Sequence, residues 1–181
     1  IKLINIGTEM HLCFNSMLLK VEDLMEWLIA NKQNRLQFAL LTADAWSYFS
    51  RSDTRRDRLR VITTIAHDFG LAIGVDAPIM FRQQHSWTLI QSSFPISVEQ
   101  QHREIRESVD WLVSTGIDFL GTESGSSEFF HLIKCSGMLR LMNFTAIYAL
   151  SRHNVTTSIK CHCSSGQTCT GTFVYPFCQH L

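Results

Sequence analysis

The sequence has no excess of either charge. Sixteen basic residues stand against sixteen acidic ones, and the pI is about 7.2. A balanced chain projects no long-range field toward nucleic acid or an anionic membrane, so neither is expected as a partner. A small or neutral substrate fits better. No apolar run approaches the roughly 20 residues that a membrane-spanning helix needs, and no basic segment followed by an apolar one opens the chain. A Gly-x-Ser-x-Gly elbow is missing, which leaves a serine hydrolase without support. No glycine-rich phosphate fingerprint follows any apolar run, which argues against a dinucleotide site. The first residue is Ile1 rather than Met, and no terminal cap is evident. The expectation from that is a processed product or a fragment.

What is present is ordinary globular material: 181 residues, 45% hydrophobic and 18% charged, enough for one core. A single domain, or part of one, is expected over 1–181. Within it a unit recurs: an amphipathic helix, a helix-stopping residue, then a short apolar run ending in polar groups. Ile62, Ile65, Ala66 and Phe69 repeat with helical spacing, Gly70 stops that helix, and 71–75 reads as a strand ending at Asp76. Ser97 with Gln100 forms a capping box, Ile105, Val109, Leu112 and Val113 give a buried stripe, and Gly116 precedes a strand that ends at Thr122 and Glu123.

Two looser copies flank these. Leu24, Trp27 and Leu28 lead through a break at Asn31–Asn34 into an apolar run ending near Thr42, Asp44 and Trp46. Leu139, Met142, Ala146 and Leu150 lead through His153 and Asn154 into a strand ending at Lys160 and His162. Strand starts near 36, 71, 117 and 155 are spaced by the roughly 30 or more residues of a βαβ unit, so 17–162 reads as a parallel βα repeat. A full barrel takes about 250 residues, so four units make a partial (β/α) barrel, with an open parallel sheet as the alternative. The stretch 163–181 reads as an irregular, cysteine-containing tail. An incomplete barrel has open strand edges, through which self-association is expected.

In a barrel, strand C-termini share one mouth. Asp44, Asp76, Glu123 and Lys160 would converge there. Glu123, within 122–127 among small residues, and Asp76, before Ala77 and Pro78, are the candidate catalytic groups. The plain alternative for Glu123 is a helix-capping carboxylate. Two carboxylates at a mouth suit glycoside cleavage, one protonating the leaving oxygen and the other acting as nucleophile or activating water. Trp46 and Trp87 are candidates for stacking on sugar rings, and Gln84 and His85, with neighbouring Gln83, for binding hydroxyls. Against this stands the reading that both tryptophans pack beneath long loops.

The repeated units, together with the strand-end glutamate in the 117–124 segment, resemble the (β/α)-barrel glycoside hydrolases. That resemblance implies a carbohydrate-active protein with Glu123 and Asp76 as its carboxylates. Thr122 stands where the best-known members carry an asparagine before the acid glutamate, and no second glutamate follows on a later strand. A non-catalytic carbohydrate-binding barrel is the alternative.

Lys160 opens a further class, the Schiff-base lyase or aldolase, in which a buried lysine amine attacks a carbonyl. An ordinary solvated lysine is its plain alternative. Cys161, Cys163, Cys169, Cys178 and His180 do not have the paired two-residue gaps of a zinc site, so disulfides or free thiols are expected and neither metal nor cofactor. His67 reads as a helix C-terminal residue. The run Arg51, Arg55, Arg56, Arg58 and Arg60, interrupted by Asp53 and Asp57, reads as a solvated helix face. Two N-glycosylation triplets, at Asn143 and Asn154, lean the expected setting toward the secretory route.

Overall fold

The computed structural model describes residues 10–40, 51–80, 87–92, 96–123 and 135–160, with side chains except those of 10–18, 135 and 136. The order is α1 (Met10–Ala30), β1 (Arg35–Ala39), α2 (Asp53–Asp68), β2 (Ala72–Asp76), α3 (Val98–Val113), β3 (Phe119–Thr122), α4 (Cys135–His153) and β4 (Thr156–Ile159). All strand pairs are parallel, in the order β1-β2-β3-β4, with Phe38 opposite Val75, Val75 opposite Leu120 and Leu120 opposite Thr157. This is the βα repeat read from the sequence, as one open four-stranded sheet consistent with a partial parallel βα barrel.

The local signals act as chemistry requires. Ser52 accepts a hydrogen bond from the Arg55 N–H at 3.2 Å and Ser97 accepts one from Gln100 at 3.1 Å, so each cap satisfies an orphan donor of the first turn. The Gln100 side chain does not return to Ser97. Its amide donates to Ser92 Oγ at 3.3 Å and Glu104 Oε1 at 3.1 Å. Each of the four helix-to-strand turns contains one left-handed residue: Lys32 (φ 59°), Gly70 (73°), Gly116 (90°) and Asn154 (56°). Glycine takes that conformation without steric penalty, which is why only the two central turns were conspicuous.

Side chains alternate across a strand. Leu36, Phe38, Ile73, Val75, Leu120 and Ile159 therefore share one face, and they pack with Met25 and Leu28 of α1, Leu59 and Ala66 of α2, Ile105, Val109 and Leu112 of α3, and Met138, Leu141 and Met142 of α4. All four helices thus cover the same side of the sheet, as right-handed crossovers between consecutive neighbours dictate. The opposite face carries Arg35, Gln37, Gly74, Asp76, Phe119, Gly121, Thr156 and Ser158.

Three expectations are corrected. Trp27 is exposed, and Met25 takes the inward place on α1. On α4 the inward stripe is Met138, Leu141, Met142, Thr145 and Ala149, while Leu150 is exposed, because contact with α3 and β4 selects the face of a helix with apolar residues all round. Arg51 is not on a solvated helix face. It precedes the Ser52 cap, donates to Ser108 Oγ at 2.7 Å, pairs with Glu107 at 3.3 Å and lies 5.9 Å from the Trp87 ring centre.

Candidate active site

The C-terminal ends of β2 and β3 are knitted together past the last strand residues. Ala77 N–H donates to Gly121 O at 2.8 Å and Ile79 N–H to Glu123 O at 2.8 Å, while the buried Thr122 hydroxyl donates to Ala77 O at 2.8 Å. Lys160 N–H donates to Thr122 O at 2.9 Å, which extends the same stitching to β4. Asp76, Glu123 and Lys160 therefore stand on one rim, at the C-terminal ends of three neighbouring strands. Strand alternation puts Asp76 on the face away from the helices, and Lys160 meets it there.

Gly121 shapes the floor between them. A Cβ at this position would stand 2.9 Å from Asp76 Oδ1 and would collide with the Gln37 side-chain nitrogen. With no side chain at Gly121, the Lys160 ammonium reaches across β3 and pairs with Asp76 Oδ2. The Asp76 side chain keeps 14% of its surface exposed and that of Lys160 keeps 49%. Asp76 Oδ1 is buried without a hydrogen-bond partner. One strand step below, Phe119 lies across Gly74, where a Cβ would collide with its ring, and the Arg35 guanidinium covers the ring at 4.4 Å.

The segment after β2 is held by charge and backbone. Trp87 N–H donates to Leu40 O at 2.8 Å, Leu89 N–H to Pro78 O at 2.9 Å and Ile90 N–H to Ile79 O at 2.8 Å. Glu104 of α3 accepts from the Gln91 N–H at 2.9 Å, the Ser92 N–H at 3.0 Å and the Ser92 hydroxyl. Burial raises the affinity of Glu104 for a proton, but these bonds together outweigh it, so its pKa lies below the ordinary glutamate value. Ser108 adds a bond to Leu89 O at 2.5 Å.

Of the residues singled out in the sequence, Asp76, Glu123 and Lys160 come to one rim. Trp87 is fully buried and packs on Trp111 with ring centres 5.7 Å apart, so its indole fills the core and offers no face to a sugar. Its place beneath a loop held to Leu40 is the packing alternative. Asp44, Trp46, Gln84 and His85, with Gln83, lie outside the described residues, as do Cys161, His162, Cys163, Cys169, Cys178 and His180. Lys160 is half exposed and ion-paired, which differs from the desolvated pocket that activates a Schiff-base lysine. His67 is at the C-terminal turn of α2, as read, and meets Asp118 at 2.9 Å; the same carboxylate accepts from the Ile73 N–H at 2.7 Å. Among the described residues no cluster could hold a metal ion, and no helix is long and apolar enough to cross a membrane.

The sequence reading passed over Gln37, Gly121 and Glu104. The first two had a signal: Arg35 and Gln37 alternate with Leu36 and Phe38, and a glycine inside a strand marks a close approach. Glu104 had none, since a glutamate on a helix normally faces water.

No protein-family model and no curated protein sequence matches the chain. Among solved structures it is similar to CpGH84D, a glycoside hydrolase family 84 protein, with a TM-score of 0.55 and 14% identity, over 77% of this chain and 22% of that one. It also overlaps CpGH84B, with a TM-score of 0.46 and 10% identity, over 73% and 21%. The chain thus spans about a fifth of the length of these proteins. At such identity the likeness concerns the fold alone: a distant, glycoside hydrolase-like arrangement of parallel βα units.

Proposed function

We propose that this βα unit is carbohydrate-active and that its strand-end carboxylates cleave glycosides, with Glu123 as the proton donor and Asp76 as the second carboxylate. One observation supports the reading: two acidic residues stand at the C-terminal ends of adjacent parallel strands, on one rim of the sheet, with Asp76 beside Gly121 of β3. The rim is where barrels build their sites. The similarity in fold to a family 84 glycoside hydrolase supports the same reading.

Glu123→Gln, nearly isosteric, is expected to leave the fold intact and cut turnover of aryl glycosides by the ~10²–10⁴ typical of a general acid or base. Turnover that survives the change removes Glu123 from the reaction. A non-catalytic carbohydrate binder is the second reading, favoured by the engagement of Asp76 with Lys160, which occupies one oxygen of the second carboxylate. A binder keeps its affinity in Glu123→Gln and shows no turnover in either form.

A further inference from the structure

On the face away from the helices, polar groups from three strands converge over Gly121 of β3, which has no side chain. We propose that Gln37, Asp76 and Lys160 form a subsite above Gly121 for two adjacent hydroxyl groups of a neutral sugar. The proposal rests on the carbohydrate reading above and names the ligand chemistry of the same rim.

The hydrogen-bonding inventory carries the argument. Asp76 Oδ2 is taken by Lys160, but Oδ1 is buried and meets no donor. A buried acceptor without a partner is rare and marks either stored strain or a place kept for another group. The Lys160 ammonium has three N–H donors and its pairing with Asp76 occupies one, while half of its side chain remains in solvent. Gln37, exposed on edge strand β1, brings its amide over Gly121 beside the same aspartate oxygen. The three residues thus offer a vacant acceptor, spare donors and an amide with both capacities. A hydroxyl group is itself both donor and acceptor, so two neighbouring hydroxyls satisfy the set, one donating to Oδ1 and the other accepting from the ammonium.

Charge narrows the ligand class. The Asp76–Lys160 pair is neutral as a unit, so it favours neither an anionic nor a cationic group, and a neutral polyol matches it. The Gln37 amide lies close over Gly121, and its exposed side chain can turn aside to admit a ligand. Glycine at 121 forgoes strand packing and admits close approach to the backbone, which is the use such glycines serve.

The test is ¹⁵N NMR of the 181-residue chain titrated with the methyl glycosides of glucose, galactose and mannose, and with their fully O-methylated forms. Saturable shifts are expected at the amides of Gly74, Gly121, Ser158 and Lys160 with at least one free glycoside and none of the methylated ones. Lys160→Met is expected to weaken that binding about fivefold or more, the equivalent of one lost hydrogen bond. Gln37→Ala gives the same reading if Lys160→Met fails to fold, since it truncates an exposed side chain. No saturable shift with any of the three glycosides, equal shifts with the methylated forms, or affinity unchanged in the folded variants overturns the subsite. Glu123→Gln separates the two proposals. Binding that persists with turnover independent of Glu123 overturns the catalytic reading alone, whereas Glu123-dependent turnover without these shifts overturns the subsite alone.

Discussion

The two faces of the sheet are made from the same four strands and obey opposite rules. On the helix side, Val75, Leu120 and Ile73 are almost wholly buried and touch side chains from all four helices. On the other side the middle of the sheet is glycine, phenylalanine and a charged pair, and the edge strands show exposed Gln37, Thr156 and Ser158. The helix side holds the fold together through apolar area removed from water, and the rim side is shaped by which side chains are missing. Stability and site construction are therefore separable by strand parity, and substitutions one residue apart are expected to differ accordingly.

The largest effect is expected from Leu120→Ala. Removing a buried leucine between β2, β4 and the helices is expected to cost about 2–5 kcal/mol, read as a lowered midpoint in denaturant unfolding. A loss below about 1 kcal/mol would show that the helix side is not the stabilising one. Next comes Gly74→Ala, on the opposite face. Its methyl would press into the Phe119 ring that Arg35 covers, and overpacking of this kind costs about 1–3 kcal/mol. Unchanged unfolding would mean that the Phe119 ring moves freely and that the floor is not packed.

Glu104→Gln sharpens the comparison at the rim, because Glu104 ties the segment after β2 to α3. Losing the charged acceptor of two backbone N–H groups is expected to cost about 1–3 kcal/mol near neutral pH. The sign with pH follows from its lowered pKa. The unfolded chain takes up the proton first as pH falls below about 4.5, so the stability this group provides is present above that pH and is lost as pH drops through the lower folded value. Melting curves of the native chain and Glu104→Gln should converge under acid. A gap that stays constant from neutral pH to acid would remove the carboxylate from this role. The smallest effect is expected from Ser158→Ala, one position on from partly buried Thr157, where the hydroxyl of an exposed residue makes only a long 3.5 Å bond to Leu120 O: within about 0.5 kcal/mol. A larger loss would show that this face is covered and stabilising after all.

Much of the architecture is legible in the amino-acid sequence. Gly70 and Gly116 announce their turns because only glycine takes a positive φ freely, and Ser52 and Ser97 cap their helices by local hydrogen bonds. The turns at Lys32 and Asn154 were visible only as breaks, since neither residue type demands the conformation. The rim location of Asp76, Glu123 and Lys160 followed from their strand-end positions alone.

The residues settled by tertiary contact are those whose chemistry fits two environments. Trp87 suits both a sugar platform and a core, and the chain buried it against Trp111 by returning past Leu40. Leu150 and Trp27 have helical spacing that suits either side of their helices, and the neighbouring elements turned them outward. Short-range chemistry, in caps, turn glycines and the period of two along each strand, determined the order and direction of the elements from the sequence itself. Pairing across distant strands decided the rest: Asp76 meets Lys160, 84 positions away, because parallel register sets Gly121 between their strands and a missing side chain leaves the path open.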